Sequence, residues 1–400
     1  MKKNSKTFCI LPWMHVSTSP SGNLRVCCNG DFNKNFILNS DGSPYKIYKD
    51  DLKKAWHAPF YKKIRWQMLD GQRPEMCAPC FREEEACSES PRTRYNQKYM
   101  FDYEPSETPP FHIKYIDLRL GNKCNLRCRM CNPYVSNSML REWEELSKRN
   151  LSQFIRPLSQ NEKKKFKNLS WPEKMDFSKF LQLMQYVEEI YLTGGEPLLI
   201  QEQYDLLEQI IQKGFASNIS LKYNTNLTKY DFKIGHLWKH FKKIHLHISI
   251  DGFGKLNDYI RYPSQWTQIE NNLKEMISLN EKLSNMAFRI DCTVQMYNIT
   301  SMTDLLWWVK KQNLDLYLNI LDTPKFLNIR VLPDELKKKA RESLLPFQKD
   351  FPVKKIIDYM ERESWMDYLD DFFHWTDFFD KSRNQNLNDV LPELSACRSA

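Results

Sequence analysis

An α/β fold built on a mainly parallel sheet is what this sequence predicts, and three observations predict it. Between Ile113 and Leu332, short apolar runs of strand type alternate with longer segments of helical periodicity. Several of these expected strands end in polar or glycine-containing loops. The first such loop carries Cys124, Cys128 and Cys131. Strand-then-helix repetition fits either a barrel or a doubly wound sheet, with right-handed connections.

The elements follow in order. Residues 1–30 hold two short extended pieces around Ser19-Pro20-Ser21-Gly22, which reads as a hairpin with Gly22 taking the positive φ of the turn. Cys9 lies just before the first piece and Cys27 ends the second, so the hairpin brings them together. A helix is expected over about 50–70, from Leu52, Ala55, Trp56, Phe60, Ile64, Met68 and Leu69, with Gly71 ending it. Cys77 and Cys80 follow as a C-x2-C pair. Residues 88–110, polar and rich in proline, read as a linker.

A strand over 113–120 then runs into the cysteine loop, and 139–146 is helical. Residues 150–175 read as an insertion. Further strands are expected at 188–193, 219–224, 243–250, 287–295, 314–321 and 328–332, and helices at about 176–187, 201–214, 228–241, 264–283 and 301–312. Residues 334–400 are helical and aromatic and read as a C-terminal cap.

Composition bounds the function. The 400 residues suffice for two or three domains, and 41% hydrophobic content marks a globular chain. No apolar run is long enough to span a membrane. The N-terminus is basic without the apolar core of a signal peptide, so a cytoplasmic location is expected. The net charge of +9 is spread along the chain, as a solvated surface would have it, which argues against nucleic acid as the partner. Eleven cysteines in a chain of this kind point to metal ligands or catalytic groups rather than a disulfide framework.

Two cysteine sets carry the chemistry. Cys124, Cys128 and Cys131 have the spacing C-x3-C-x2-C, with no further Cys, His, Asp or Glu until Glu142. Three thiolates can hold three irons of a cubane cluster and leave the fourth open to a small molecule. Cys9, Cys27, Cys77 and Cys80 could close a structural zinc site or fully ligate a 4Fe–4S cluster, and spacing alone does not separate the two. Cys28 should face away from Cys27 and pack. The expected strand ends add Gly194-Gly195-Glu196-Pro197, Thr225-Asn226 and Ser249 with Asp251. Glycines let a ligand approach the backbone, Glu196 suits an ammonium group, and Ser249 and Asp251 can bond hydroxyls. Such a set suits an amino acid joined to a ribose.

With those residues assembled, the sequence resembles the radical S-adenosylmethionine (SAM) superfamily, through the three-cysteine motif after a first strand and Gly194-Gly195-Glu196-Pro197 after a second. The N-terminal segment is similar to the twitch domain, the shortened relative of the SPASM auxiliary-cluster domain, in Cys9, Gly22, Cys27 and Cys77-x2-Cys80. Glu84, Ser90, Arg92 and Asn96 fit a pattern that follows the last pair in similar proteins. The resemblance implies a partial (β/α)6 barrel over 111–335, an auxiliary domain over 1–110 and a helical cap over 336–400. The twitch-like segment departs from the usual order by preceding the barrel, and Met130 stands where an aromatic residue is common.

The same resemblance implies the cofactors. Cys124, Cys128 and Cys131 would hold a 4Fe–4S cluster whose open iron chelates SAM. Gly194, Gly195 and Glu196 would lie against the methionyl amine, and Thr225, Asn226, Ser249 and Asp251 near the carboxylate and ribose. Arg261 is a further residue near SAM, Met130 lies by adenine, and 295–298 closes the adenine side. Cys9, Cys27, Cys77 and Cys80 would hold one auxiliary 4Fe–4S cluster, with Cys87 not a ligand. The implied activity is reductive cleavage of SAM to a 5′-deoxyadenosyl radical that abstracts hydrogen from a small molecule or peptide, with the auxiliary cluster as electron acceptor or relay. An external donor of flavodoxin or ferredoxin type would supply the electron. The rival readings are a nucleic-acid-modifying radical enzyme and a zinc-stabilised binding protein without catalysis.

Overall fold

Strand alternation sets the architecture. Leu221, Tyr223 and Thr225 are buried while Ser220, Lys222 and Asn224 between them are half-buried, and Ile244, Leu246 and Ile248 repeat the pattern. The computed structural model describes residues 6–31, 33–85, 89–99, 106–148 and 155–398. Its strands are β1 (His15–Thr18), β2 (Leu24–Arg25), β3 (Tyr115–Arg119), β4 (Glu189–Thr193), β5 (Ser220–Thr225), β6 (Lys243–Ser249), β7 (Met286–Val294) and β8 (Asp315–Ile320). They form one open sheet in the order β2-β1-β3-β4-β5-β6-β7-β8. The β1–β2 pair is antiparallel, and β1–β3, β3–β4, β4–β5 and β7–β8 are parallel.

The chain divides into two compact units. The first comprises Met1–Gly121, Leu169–Tyr223 and Phe232–Ile244. Here the expected hairpin forms, with Gly22 at φ +78°, and it joins the sheet: Val16 pairs with Ile116 and Ser17 with Asp117. Ile116, Leu118, Ile190 and Leu192 are buried and form part of its core.

The segment expected to be a linker holds a helix instead, Pro91–Tyr99. Ser90 and Thr93 cap it reciprocally, Thr93 N donating to Ser90 Oγ at 3.2 Å and Ser90 N to Thr93 Oγ1 at 3.0 Å. Pro91 opens the helix, where its missing N–H is harmless, and Arg92, Tyr95 and Tyr99 are buried. The helix expected over 50–70 is two, Leu52–Trp56 and Pro59–Leu69, because Pro59 cannot continue the first and starts the second. The expected insertion contributes to this unit too: Trp171 is buried and donates its indole N–H to Arg119 O at 2.6 Å.

The second unit comprises Asn122–Asn168, Asn224–Asp231 and His245–Ala400. In the helix Trp266–Leu283, Ile269, Leu273 and Met276 form the buried stripe that the periodicity predicts. The expected strand at 328–332 is a single 3-10 turn, Ile329–Val331, in which the Arg330 amide is capped by the Asn328 side chain. The expected helix at 228–241 is confined to Ile234–Trp238, and that at 176–187 to Phe177–Leu181. Residues 334–398 are mostly helical, as expected. The helix Leu369–Arg383 buries Phe372, Phe373, Trp375, Phe378 and Phe379, and ends at Asn384 in the left-handed conformation.

Candidate functional site

The cysteine loop lies in the second unit. Cys128 is buried, and Cys124 and Cys131 are half-buried. Cys131 N donates to Cys128 O at 3.0 Å, which folds the C-x2-C turn and puts the two thiols in hydrogen-bond contact. That contact pushes the Cys131 thiol well up, with burial adding to it, and holds Cys128 below its ordinary range. Cys124 accepts from Leu126 N at 3.4 Å, and Asn226 Nδ2 lies 4.0 Å from its sulfur.

Backbone anchors fix the loop. Arg127 N donates to Tyr262 O at 2.6 Å and Arg129 N to Ile260 O at 2.9 Å. The Arg129 side chain is wholly buried; its Nε donates to Tyr259 O at 2.9 Å, and its Nη2 meets Asp380 Oδ1 at 2.6 Å and Gln385 Oε1 at 3.0 Å. Trp375 Nε1 donates to Arg129 O at 3.0 Å. Glu142, the first acidic residue after the loop, pairs with Arg383 Nη2 at 2.8 Å and Arg127 Nη1 at 3.2 Å.

The same unit brings together most of the remaining expected residues. Asp251 is fully buried: Oδ2 faces Arg261 Nε at 2.7 Å and Oδ1 accepts from Thr293 N at 2.7 Å. Burial raises its carboxyl, and Arg261 opposes that rise. Arg261 also feels the Cys128 and Cys131 thiols, so its guanidinium is near both Asp251 and the loop. Asn298 Nδ2 donates to Asp251 O at 2.9 Å. Asn226 folds an Asx turn through Thr228 N at 2.9 Å and donates to Asn125 Oδ1 at 3.1 Å. Thr225 Oγ1 accepts from Leu227 N at 2.9 Å. Ser249 and Met130 are half-buried.

Gly194, Gly195 and Glu196 belong to the first unit. Gly194 has φ +86°, and a Cβ there would lie 2.9 Å from Gly121 O and 3.0 Å from Arg119 Cα, so only glycine fits. Glu196 is buried, and its Oε1 accepts from Leu198 N at 3.2 Å.

In that unit Cys9, Cys27, Cys77 and Cys80 line one small cavity of about 20 Å³ with Leu11, Met68, Met76 and Arg92. Burial, then Cys80, pushes the Cys77 thiol up to about 12. Asn29 directs donors at two of the sulfurs, N to Cys27 and Nδ2 to Cys80, both at 3.4 Å. The residues after the last pair converge on Cys9. Arg92 pairs with Glu84 and donates to Phe8 O at 2.8 Å, Asn96 Nδ2 donates to Phe8 O at 2.8 Å, and Ile10 N donates to Asn96 Oδ1 at 2.7 Å. Ser90 Oγ donates to Glu84. Cys28 is not simply packed: its thiol contacts those of Cys27 and the ring of His15. Cys87 lies outside the described residues. Among the described residues every cysteine is a free thiol, and no three Cys, His, Asp or Glu side chains stand close enough to hold a single metal ion.

Residues 118–304 match the model of the Radical SAM superfamily. The match covers a little under half of the chain. It includes the three-cysteine loop, Gly194–Glu196, Ser249, Asp251 and Arg261; the four N-terminal cysteines and the C-terminal helices lie outside it. Among curated proteins none matches the chain. Among solved structures, native anSMEcpe with bound AdoMet is similar at 15% identity and a TM-score of 0.41, over 60% of this chain and 62% of that one. Streptococcus suis SuiB bound to S-adenosylmethionine is similar at 12% identity and a TM-score of 0.35, over 79% of this chain and 66% of that one. The chain thus spans about three fifths of anSMEcpe. Sequence reasoning missed Arg129, Asp380 and Thr293 around the three-cysteine loop and Asp251; the one local sign was an arginine set between two cysteines.

Proposed function

We propose that this chain is a radical SAM enzyme with two iron–sulfur clusters. The reading is carried by one observation: a match to the radical SAM model whose three-cysteine loop has its Cys128 and Cys131 thiols near the buried Arg261–Asp251 pair. Soft thiolates suit iron, and the backbone at Gly194 is kept bare of any Cβ. When reduced, a cluster with an open iron supplies the electron that splits SAM and yields a hydrogen-abstracting radical.

The chain's own residues would do the rest. Cys124, Cys128 and Cys131 hold the cluster, and Arg261 offsets its thiolate charge. By the family resemblance, Gly194, Gly195 and Glu196 receive the methionyl amine, and Thr225, Asn226, Ser249, Asp251 and Met130 the remainder of SAM. Cys9, Cys27, Cys77 and Cys80 hold a second cluster of the twitch type, which accepts or relays the electron of substrate oxidation. The lining of one cavity by all four supports this. The substrate is a small molecule or a peptide side chain, and a flavodoxin- or ferredoxin-type protein is the reductant.

Anaerobic reconstitution tests the proposal. About eight iron and eight sulfide per chain are expected, with SAM cleaved to methionine and 5′-deoxyadenosine under dithionite. Cys124→Ala should abolish cleavage. Cys77→Ala should keep cleavage and lose substrate oxidation. Zinc alone in the purified protein would sink the reading.

A further inference from the structure

One sheet face of the first unit carries a polar row that the cysteine chemistry does not use. Register places Arg25 of β2 beside Ser17 of β1, Ser17 beside Asp117 of β3, and Asp117 beside Tyr191 of β4. Two residue pairs further along β3 and β4, and so on the same face, Arg119 stands beside Thr193. The opposite face of the same strands is apolar, with Val16, Ile116, Leu118, Ile190 and Leu192.

Asp117 is the anomaly in this row. It is 0% exposed, yet neither carboxylate oxygen has a hydrogen-bond partner of ordinary geometry. Burial raises its carboxyl, which Arg119, Arg25 and the neighbouring Ser17 hydroxyl oppose; that hydroxyl also lies 3.5 Å from Thr18 O, to which it donates. Arg25 and Arg119 act on Asp117 through charge, while Arg25 Nη2 donates to Gly30 O at 3.0 Å and Arg119 Nη2 to Cys28 O at 3.1 Å. A buried acceptor left unsatisfied costs about 1–3 kcal/mol, more when charged. Such a group in a native protein calls for a partner that the protein does not supply.

We propose that Asp117, with Ser17, Arg25 and Arg119, is a binding site for a neutral, hydroxyl-bearing small molecule, whose hydroxyls donate to the Asp117 carboxylate. The charges decide the class. An ammonium ligand would be opposed by the two guanidinium groups whose charge reaches Asp117, and an anionic ligand would meet a desolvated carboxylate. A neutral donor satisfies both oxygens without either penalty. This goes beyond the radical SAM reading and does not depend on it, since the site uses none of the cluster ligands.

Isothermal titration of the full chain with matched compounds tests it: D-glucose, D-ribose and myo-inositol as neutral probes, against D-glucosamine and D-glucuronate. At least one neutral compound should bind, and Asp117→Asn should weaken it by about tenfold or more. Ser17→Ala serves as a second variant should Asp117→Asn fail to fold, and should weaken the same compound several-fold. Preference for the amine or the acid would overturn the proposal. So would the absence of binding by every neutral probe, or unchanged affinity in the variants, which would leave Asp117 solvated by internal water. Iron and sulfide measured on the same preparation report separately on the cluster reading.

Discussion

Trp375 donates its indole N–H to the carbonyl oxygen of Arg129 at 3.0 Å, so a C-terminal helix holds the backbone between Cys128 and Cys131. Asp380, one turn and a half further along that helix, accepts from Arg129 at 2.6 Å and from Tyr259 Oη at 2.7 Å. Removing Asp380 leaves Arg129 buried without its counter-charge, which typically costs 3–5 kcal/mol, and about that loss is expected for Asp380→Ala. Denaturant melts measure it. Iron retention at the three-cysteine site should fall in the same variant, and full retention with full stability would show that the helix does not support the loop.

Gly194→Ala places a methyl group 2.9 Å from Gly121 O, at φ +86°, against backbone that cannot swing away. Gly214 has a similar φ of +77° and nothing within 4 Å of its Cβ position. The control Gly214→Ala should therefore cost only the left-handed backbone strain, about 1–2 kcal/mol. Gly194→Ala should cost more than its control and abolish SAM binding. Equal melting temperatures for the two variants would show that the strand end yields.

Arg92 couples Glu84 to the Phe8 carbonyl next to Cys9. Arg92→Lys cannot reproduce that forked geometry. Iron in the reconstituted variant should drop from about eight to about four per chain, with the three-cysteine cluster kept. Electron paramagnetic resonance of the reduced protein tells which set remains. Loss of both sets would mean that the segment matters to the whole fold rather than to its own cluster.

Glu189 is buried and accepts from Lys222 at 2.7 Å, Lys98 at 2.9 Å and Tyr95 Oη at 3.2 Å. Burial works to raise its carboxyl, but the two ammonium groups win and hold it below the ordinary 4.5. A carboxyl depressed on folding contributes stability that is fully present above its unfolded value and lost as pH falls through its folded one. Glu189→Gln should thus be less stable than the natural protein at pH 7, by about 3 kcal/mol, and the gap should close in acid. Urea melts at both pH values check this. A gap independent of pH would assign the effect to packing.

The three-cysteine loop could be singled out because its residues are local: C-x3-C-x2-C and the Gly-Gly-Glu-Pro turn lie within single loops. Strand alternation was readable for the same reason, each strand carrying its own period of two. The helix Pro91–Tyr99 escaped because its proline and polar residues mimic a linker, although Ser90-Pro91-x-Thr93 is a helix start. Arg129 and Asp380 could not be paired in advance, since 251 positions separate them and neither has a local partner that marks it as buried. The expected strand at 328–332 failed because a short apolar run reads alike as a strand or as any buried segment, and here Asn328 caps a turn.

The parallel pairing of β1 with β3 also sets where this protein can be cut. A truncated chain begun near residue 110 would keep every cysteine of the three-cysteine loop, yet strip β3 of its neighbour. The bared edge would offer unpaired amides and carbonyls to the next molecule, a template for aggregation. Asp117 and Tyr115 would lose Ser17 and His15 at the same stroke. The Cys-rich segment is therefore no detachable accessory, and the smallest piece of this protein that keeps its sheet intact includes it.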